Sequence, residues 1–136
     1  MQEAQTLGIN HLVQCVGHVN DPADLSHYFR QADIFLLLSA AEGFPRVVNE
    51  ALLHSLPVVV TPVGGIPDEL VENEHALFVP VDSPSDAAKA ITRLVVEAPP
   101  PAVNSGRLSL GHRTDARASL AATCQVVRVV KVWICR

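Results

Sequence analysis

Two carboxylates eight residues apart, Glu42 and Glu50, flank the stretch Gly43-Phe44-Pro45-Arg46-Val47-Val48-Asn49. The apolar run Ile34–Leu38 enters it, and a helix-period run with Val47, Val48, Ala51 and Leu52 on its apolar side leaves it. This pattern predicts a strand, a tight loop and then a helix. Pro45 suits the first helical position, because its φ is fixed near helical values and the N–H it lacks could not be paired there anyway. No Ser, Thr, Asp or Asn stands before Pro45. The first free N–H groups of the helix therefore need water or a ligand. An anion fits such an end. Arg46 sharpens this, because a cation in the first turn opposes the helix dipole by roughly a few tenths of a kcal/mol unless a bound anion neutralises it. The chemistry indicated is recognition of a phosphate group.

Each of these residues also has an ordinary explanation. Arg46 and Glu50 stand four apart on one helix and could form a simple surface ion pair. Glu42 could be a plain loop carboxylate, and His18, directly after Gly17, either a solvated loop histidine or a group near a bound base or sugar. Gly64-Gly65 serves a tight turn with positive φ, or lets backbone approach a ligand. Cys15 lies in an apolar run, where a buried thiol is the usual state. The three cysteines have no Cys-x-x-Cys spacing and the six histidines are scattered, so neither a disulfide framework nor a metal site is indicated.

The elements that must position these residues can be followed along the chain. Residues 2–7 end a helix, and Leu12–Val16 reads as a short buried strand closed by Gly17. Asp21 as cap and Pro22 at the first position begin a helix that runs to about Gln31. Ile34–Leu38 is the next strand, and the helix from Pro45 ends near His54. Leu56–Thr61 is apolar on both alternating faces, as a central parallel strand covered on both sides requires. A Gly64-Gly65 turn, a short helix over Pro67–Val71, a strand over Ala76–Val79 and a helix capped by Ser83 or Ser85 and reaching about Glu97 complete the series. Strands alternating with helices indicate an α/β fold, a parallel sheet with helices on both faces. Ligands in such sheets bind at the carboxyl ends of the strands, where the Ser39–Pro45 and Thr61–Gly65 loops both fall. The two loops should line one cleft.

The length of 136 residues and the 49% apolar content suit at most one folded domain. No apolar run spans a membrane and no signal peptide is visible, which predicts a cytoplasmic protein. Residues 1–98 hold four Arg or Lys against thirteen Asp or Glu, and residues 99–136 hold six against one, giving −9 and +5 within the total of −4. An acidic body argues against nucleic-acid binding. The basic tail, 99–136, follows Ala98-Pro99-Pro100-Pro101 and contains a period-2 apolar run, Val126–Ile134, prone to edge pairing.

An ordered set of motifs carries a family resemblance over roughly Leu7–Glu97. The motifs are Val13-Gln14-Cys15-Val16-Gly17, Ala32-Asp33 before the strand, the Glu42/Glu50 pair, Leu56-Pro57-Val58-Val59-Val60 and Gly64-Gly65-Ile66-Pro67. With these the chain resembles the C-terminal, nucleotide-sugar-binding, Rossmann-like domain of retaining glycosyltransferases of the two-domain GT-B architecture, family 4 (group 1). The resemblance implies a hexosyltransferase (EC 2.4) using a UDP-, GDP- or ADP-sugar without a metal cofactor. It also implies an acceptor saccharide or lipid and leaves room for peripheral membrane association of a full-length enzyme. By the same resemblance Glu50 binds the ribose, the backbone around Gly43, Phe44, Pro45, Arg46 and Val47 contacts the diphosphate and sugar, Gly64 and Gly65 line the cleft, and Glu42 is the catalytic residue facing the transferred sugar. The geometry agrees, since a helix rises only about 7–8 Å from Pro45 to Glu50.

Departures from the family pattern bear on activity. Ser55 stands where the family closes its helix with glycine, costing on the order of 1 kcal/mol if left-handed. The family's first strand, glycine-rich loop and basic diphosphate clamp would precede Met1, as would the acceptor-binding domain. The only lysines are Lys89 and Lys131, and neither supplies a substitute clamp. The resemblance thus implies a fragment, with residues 1–98 a partial donor-binding domain and 99–136 a basic tail whose structure the sequence leaves open and which the family pattern does not account for. The expectation is of an isolated chain that is inactive, binds nucleotide at best weakly and loses no structure on deletion of the tail. A non-catalytic nucleotide-binding module, or a sugar-nucleotide epimerase of the same architecture, is the alternative.

Overall fold

The computed structural model describes residues 2–96 and the backbone of residues 129–130. Four strands, β1 (Ile34–Leu37), β2 (Val58–Val60), β3 (Leu77–Phe78) and β4 (Val129–Val130), form one sheet in the order β3-β2-β1-β4, with every neighbouring pair parallel. The register pairs Phe35 with Val58, Leu37 with Val60, and Val60 with Phe78. Parallel strands need crossovers. Helices α1 (Gln2–Thr6) and α2 (Pro22–Gln31) precede β1, helix α3 (Arg46–Leu53) lies between β1 and β2, and the short α4 (Ile66–Glu69) between β2 and β3.

Alternation along the strands divides the core into two layers. Phe35, Leu37, Val58 and Val60 point to one face, where they meet Phe29 of α2 (Pro22–Gln31), Val47, Val48 and Ala51 of α3, and Ile66 of α4. Ile34, Leu36, Val59 and Leu77 point to the other, against Ala87 and Leu94 of α5 (Pro84–Val96). Both faces are therefore covered, as the unbroken apolar strands require. Each large apolar side chain buried here contributes about 1.5–3 kcal/mol.

Local signals set the helix ends. The Asp21 carboxylate accepts from the Ala23 N–H at 2.8 Å, with Pro22 at the first helical position. At the end of α3, the Leu56 N–H donates to Ala51 O and the Ser55 N–H to Leu52 O, while Ser55 has φ 57°. This is a Schellman closure with serine in the left-handed position that glycine ordinarily takes. At α5, the Ala87 N–H bonds back to Ser83 O, which makes Ser83 the cap. The Ser83 hydroxyl donates to Asp86 at 2.6 Å.

Three expectations are corrected. Leu12–Val16 is not a buried strand: a 3-10 turn covers Asn10–Leu12, and Leu12, Val13 and Val16 are 60%, 40% and 44% exposed. Cys15 is exposed with them. An apolar run becomes a strand only where a neighbour offers a ladder, and this run joins neither edge of the described sheet. Pro45 is not the first helical residue, because its ψ of 118° is extended and Arg46 begins α3. Its φ of −76° satisfies both states, so φ alone could not separate them. Finally, part of the tail is in the fold: β4 falls inside the Val126–Ile134 run and pairs with β1, Val129 opposite Ile34 and Val130 opposite Phe35. The end of the helix at Glu97 and the expectations for Cys124, Cys135, Lys131 and the rest of the basic tail lie outside the described residues.

Candidate functional site

The loop from β1 to α3 and the loop from β2 to α4 lie together at the carboxyl end of the sheet, joined by direct bonds. The Thr61 N–H donates to Leu37 O at 3.2 Å, the Thr61 hydroxyl to Ser39 O at 2.5 Å, and the Gly65 N–H to Gly43 O at 2.8 Å. Gly64, at φ +59°, packs directly under the Glu42–Gly43 peptide. The two loops, expected to line one cleft, are in direct contact with each other. The proximity of Gly64 and Gly65 is to the chain's own backbone.

Within the first loop the Ser39 hydroxyl donates to Glu42 Oε1 at 2.7 Å. Glu42 is half-buried, and Gly43 is exposed with open space where a Cβ would stand. Phe44 packs its ring on the core, Pro45 is buried, and Val47 is a core residue whose backbone alone can face a ligand. No side chain caps α3. Among the described residues the N–H groups of Gly43, Phe44, Arg46 and Val47 have no acceptor. Such donors at a helix start, beside the positive end of its dipole, can hold an anion.

Arg46 is exposed and Glu50 half-buried, and the surface ion pair between them does not form. An ion pair does form on α5, between Lys89 and Asp86 at 2.8 Å. His18 is exposed. No three His, Cys, Asp or Glu side chains gather in a metal-ligand geometry among the described residues, and no helix there is long and apolar enough to cross a membrane.

Ser39 and Thr61 were not singled out by sequence. Their signal was a hydroxyl residue directly after each apolar strand, Ser39 after Leu38 and Thr61 after Val60. Thr61 is the buried polar side chain of the described core.

A parallel sheet covered by helices on both faces, with its loops gathered at the carboxyl end around an uncapped helix start, defines a Rossmann-like α/β domain. Residues 1–103 match the family of glycosyl transferases group 1, and the chain belongs to that family. It is 33% identical over 125 residues to D-inositol 3-phosphate glycosyltransferase 2 of Catenulispora acidiphila, a match covering 90% of this chain and 29% of that protein. It is 35% identical over 94 residues to the D-inositol 3-phosphate glycosyltransferase of Corynebacterium jeikeium, covering 69% and 22%. A Bacillus subtilis glycosyltransferase provisionally assigned to teichuronic acid biosynthesis is 44% identical over 66 residues, covering 48% and 17%. The chain thus spans less than a third of the length of these relatives. No solved structure matches it.

Proposed function

We propose that this chain supplies the donor side of a retaining, GT-B-type sugar transfer from a nucleotide-diphosphate sugar. The diphosphate sits at the start of α3, on the N–H groups of Gly43, Phe44, Arg46 and Val47. Glu50 accepts the ribose hydroxyls in charge-assisted bonds, and Glu42 meets the transferred sugar. The bond from the anomeric carbon to the diphosphate oxygen breaks as a bond to the acceptor oxygen forms on the same face, and the proton of the acceptor hydroxyl passes to the departing diphosphate oxygen. The helix end and Arg46 stabilise the charge that develops on the departing diphosphate. The reading needs no metal. It places the enzyme in the cytoplasm, with a hexosyl donor on UDP, GDP or ADP and an acceptor saccharide or lipid selected by parts of the protein beyond this chain.

One observation carries this reading. Arg46 and Glu50 stand one helical turn apart with opposite charges and do not pair, which leaves a cation at the uncapped helix start and a carboxylate one turn on, both available to a ligand. Gly43 supports it: neither a positive φ nor a close neighbour requires glycine there, whereas a ligand approaching the backbone does.

Calorimetry with UDP, GDP and ADP on a complete enzyme carrying this chain tests the assignment. Glu50→Gln should weaken binding by about 1–3 kcal/mol, the loss of a hydrogen bond to a charged group. Glu42→Ala should lower turnover far more than nucleotide affinity. Unchanged affinity in the first variant would make Glu50 a surface residue only.

A further inference from the structure

We propose that Ser39 and Thr61 are positioning residues for Glu42: Thr61 fixes the peptide of Ser39, and the Ser39 hydroxyl aims the Glu42 carboxylate. The inference rests on the reading of Glu42 as the group that meets the transferred sugar. Thr61 is 1% exposed, at the end of a valine strand. Packing alone would accept valine there, which has the same shape. A buried hydroxyl is destabilising unless it is bonded, and this one donates to the Ser39 carbonyl.

The Thr61 N–H holds Leu37 O as well, so one residue grips the end of β1 and the loop beyond it. With its carbonyl held, Ser39 presents its hydroxyl to Glu42 Oε1 at 2.7 Å, a short bond to a charged acceptor. Among the described residues Oε2 makes no hydrogen bond. On the opposite side the Gly65 N–H holds Gly43 O, and Gly64 lies against the Glu42 peptide. Glu42 is thereby fixed at its backbone and at one carboxylate oxygen, with the other left for a ligand. Restricting a reacting group in this way before binding removes ordering cost from the binding step.

The test follows the side-chain carboxylate of Glu42 by carbon NMR of the full chain with labelled glutamate. The resonance should move in Ser39→Ala, move in the same direction by less in Thr61→Val, and return in Thr61→Ser. This readout needs no ligand, and an unmoved resonance in Thr61→Val overturns the relay. Ligand-observed titrations then compare UDP-, GDP- and ADP-glucose with their free nucleoside diphosphates. Ser39→Ala and Thr61→Val should reduce the preference for the sugar-bearing form by roughly fivefold, the net size of one ordinary hydrogen bond, and Glu42→Ala should abolish it. If Glu42→Ala abolishes the preference and the other two leave it intact, the positioning role alone is overturned. If Glu42→Ala leaves it intact, the sugar-facing reading of Glu42 fails, and the positioning role with it.

Discussion

Gly64 lies so close beneath Glu42 that a Cβ added to it would stand 1.9 Å from the Glu42 carbonyl oxygen. No real Cβ approaches backbone so closely, so residue 64 and the carboxylate loop can share this space only while residue 64 is glycine. The contact also explains how two loops separated by α3 and β2 hold one geometry.

Gly64→Ala therefore combines a backbone overlap with a left-handed φ, each unfavourable alone. It should destabilise the chain by about 3 kcal/mol or more, or displace the Glu42 loop. Gly65→Ala should cost under about 1 kcal/mol, because its Cβ would stand 3.5 Å from Gly43 O, at ordinary contact. Urea unfolding of both variants makes the comparison. Equal effects would show that Gly64 serves only the turn.

Ser55→Gly should raise stability by about 0.5–1 kcal/mol. The left-handed conformation costs a residue with a Cβ about 1–2 kcal/mol, and the greater freedom of glycine in the unfolded chain returns part of that gain. A higher urea midpoint with an unchanged slope is the expected result.

Truncation after Ala98 should lower stability by about 1–2 kcal/mol, the net value of one or two ladder hydrogen bonds. This reverses the expectation from sequence that the tail is dispensable, because removing β4 uncovers the edge of β1. Phe35 donates toward β2, to Pro57 O, so the amides of Ile34 and Leu36 face the β4 side. Faster hydrogen exchange at those two amides in the truncated chain is the specific readout. An exposed β1 edge should also promote self-association, visible as a concentration-dependent sedimentation coefficient.

The Asp86 carboxyl is held below its ordinary range, first by the hydrogen bond from Lys89 and then by that from Ser83. A depressed carboxylate contributes stability at pH above its unfolded value and loses it as the pH falls through the lower folded value. Helix α5 should thus loosen at its start only in acid. NMR titration of Asp86 should show the midpoint rising in Lys89→Ala, and rising less in Ser83→Ala.

Short-range chemistry was legible in the sequence. The Asp21-Pro22 start of α2, the uncapped entry to α3 and the doubly apolar β1 and β2 all follow from φ preferences, capping groups and periodicities acting within a few residues, whereas the helix end at Ser55 was suggested by the family resemblance and its left-handed φ came from the structure. Those same signals brought the Ser39–Pro45 and Thr61–Gly65 loops to one end of the sheet, because parallel α/β connections leave them no other place. Only the tertiary structure decided which apolar runs acquire a neighbour. Leu12–Val16 has the composition of a strand and stays exposed, while Val129–Val130 enters the sheet, since a ladder depends on a partner remote in sequence. It also decided that Gly64 is needed by the Glu42 peptide, that Arg46 and Glu50 stay apart although spaced to pair, and that the hydroxyl of Thr61 reaches Ser39. Each of these depends on the approach of atoms from different loops or on the orientation of side chains, and neither is encoded in the spacing of residues along the chain.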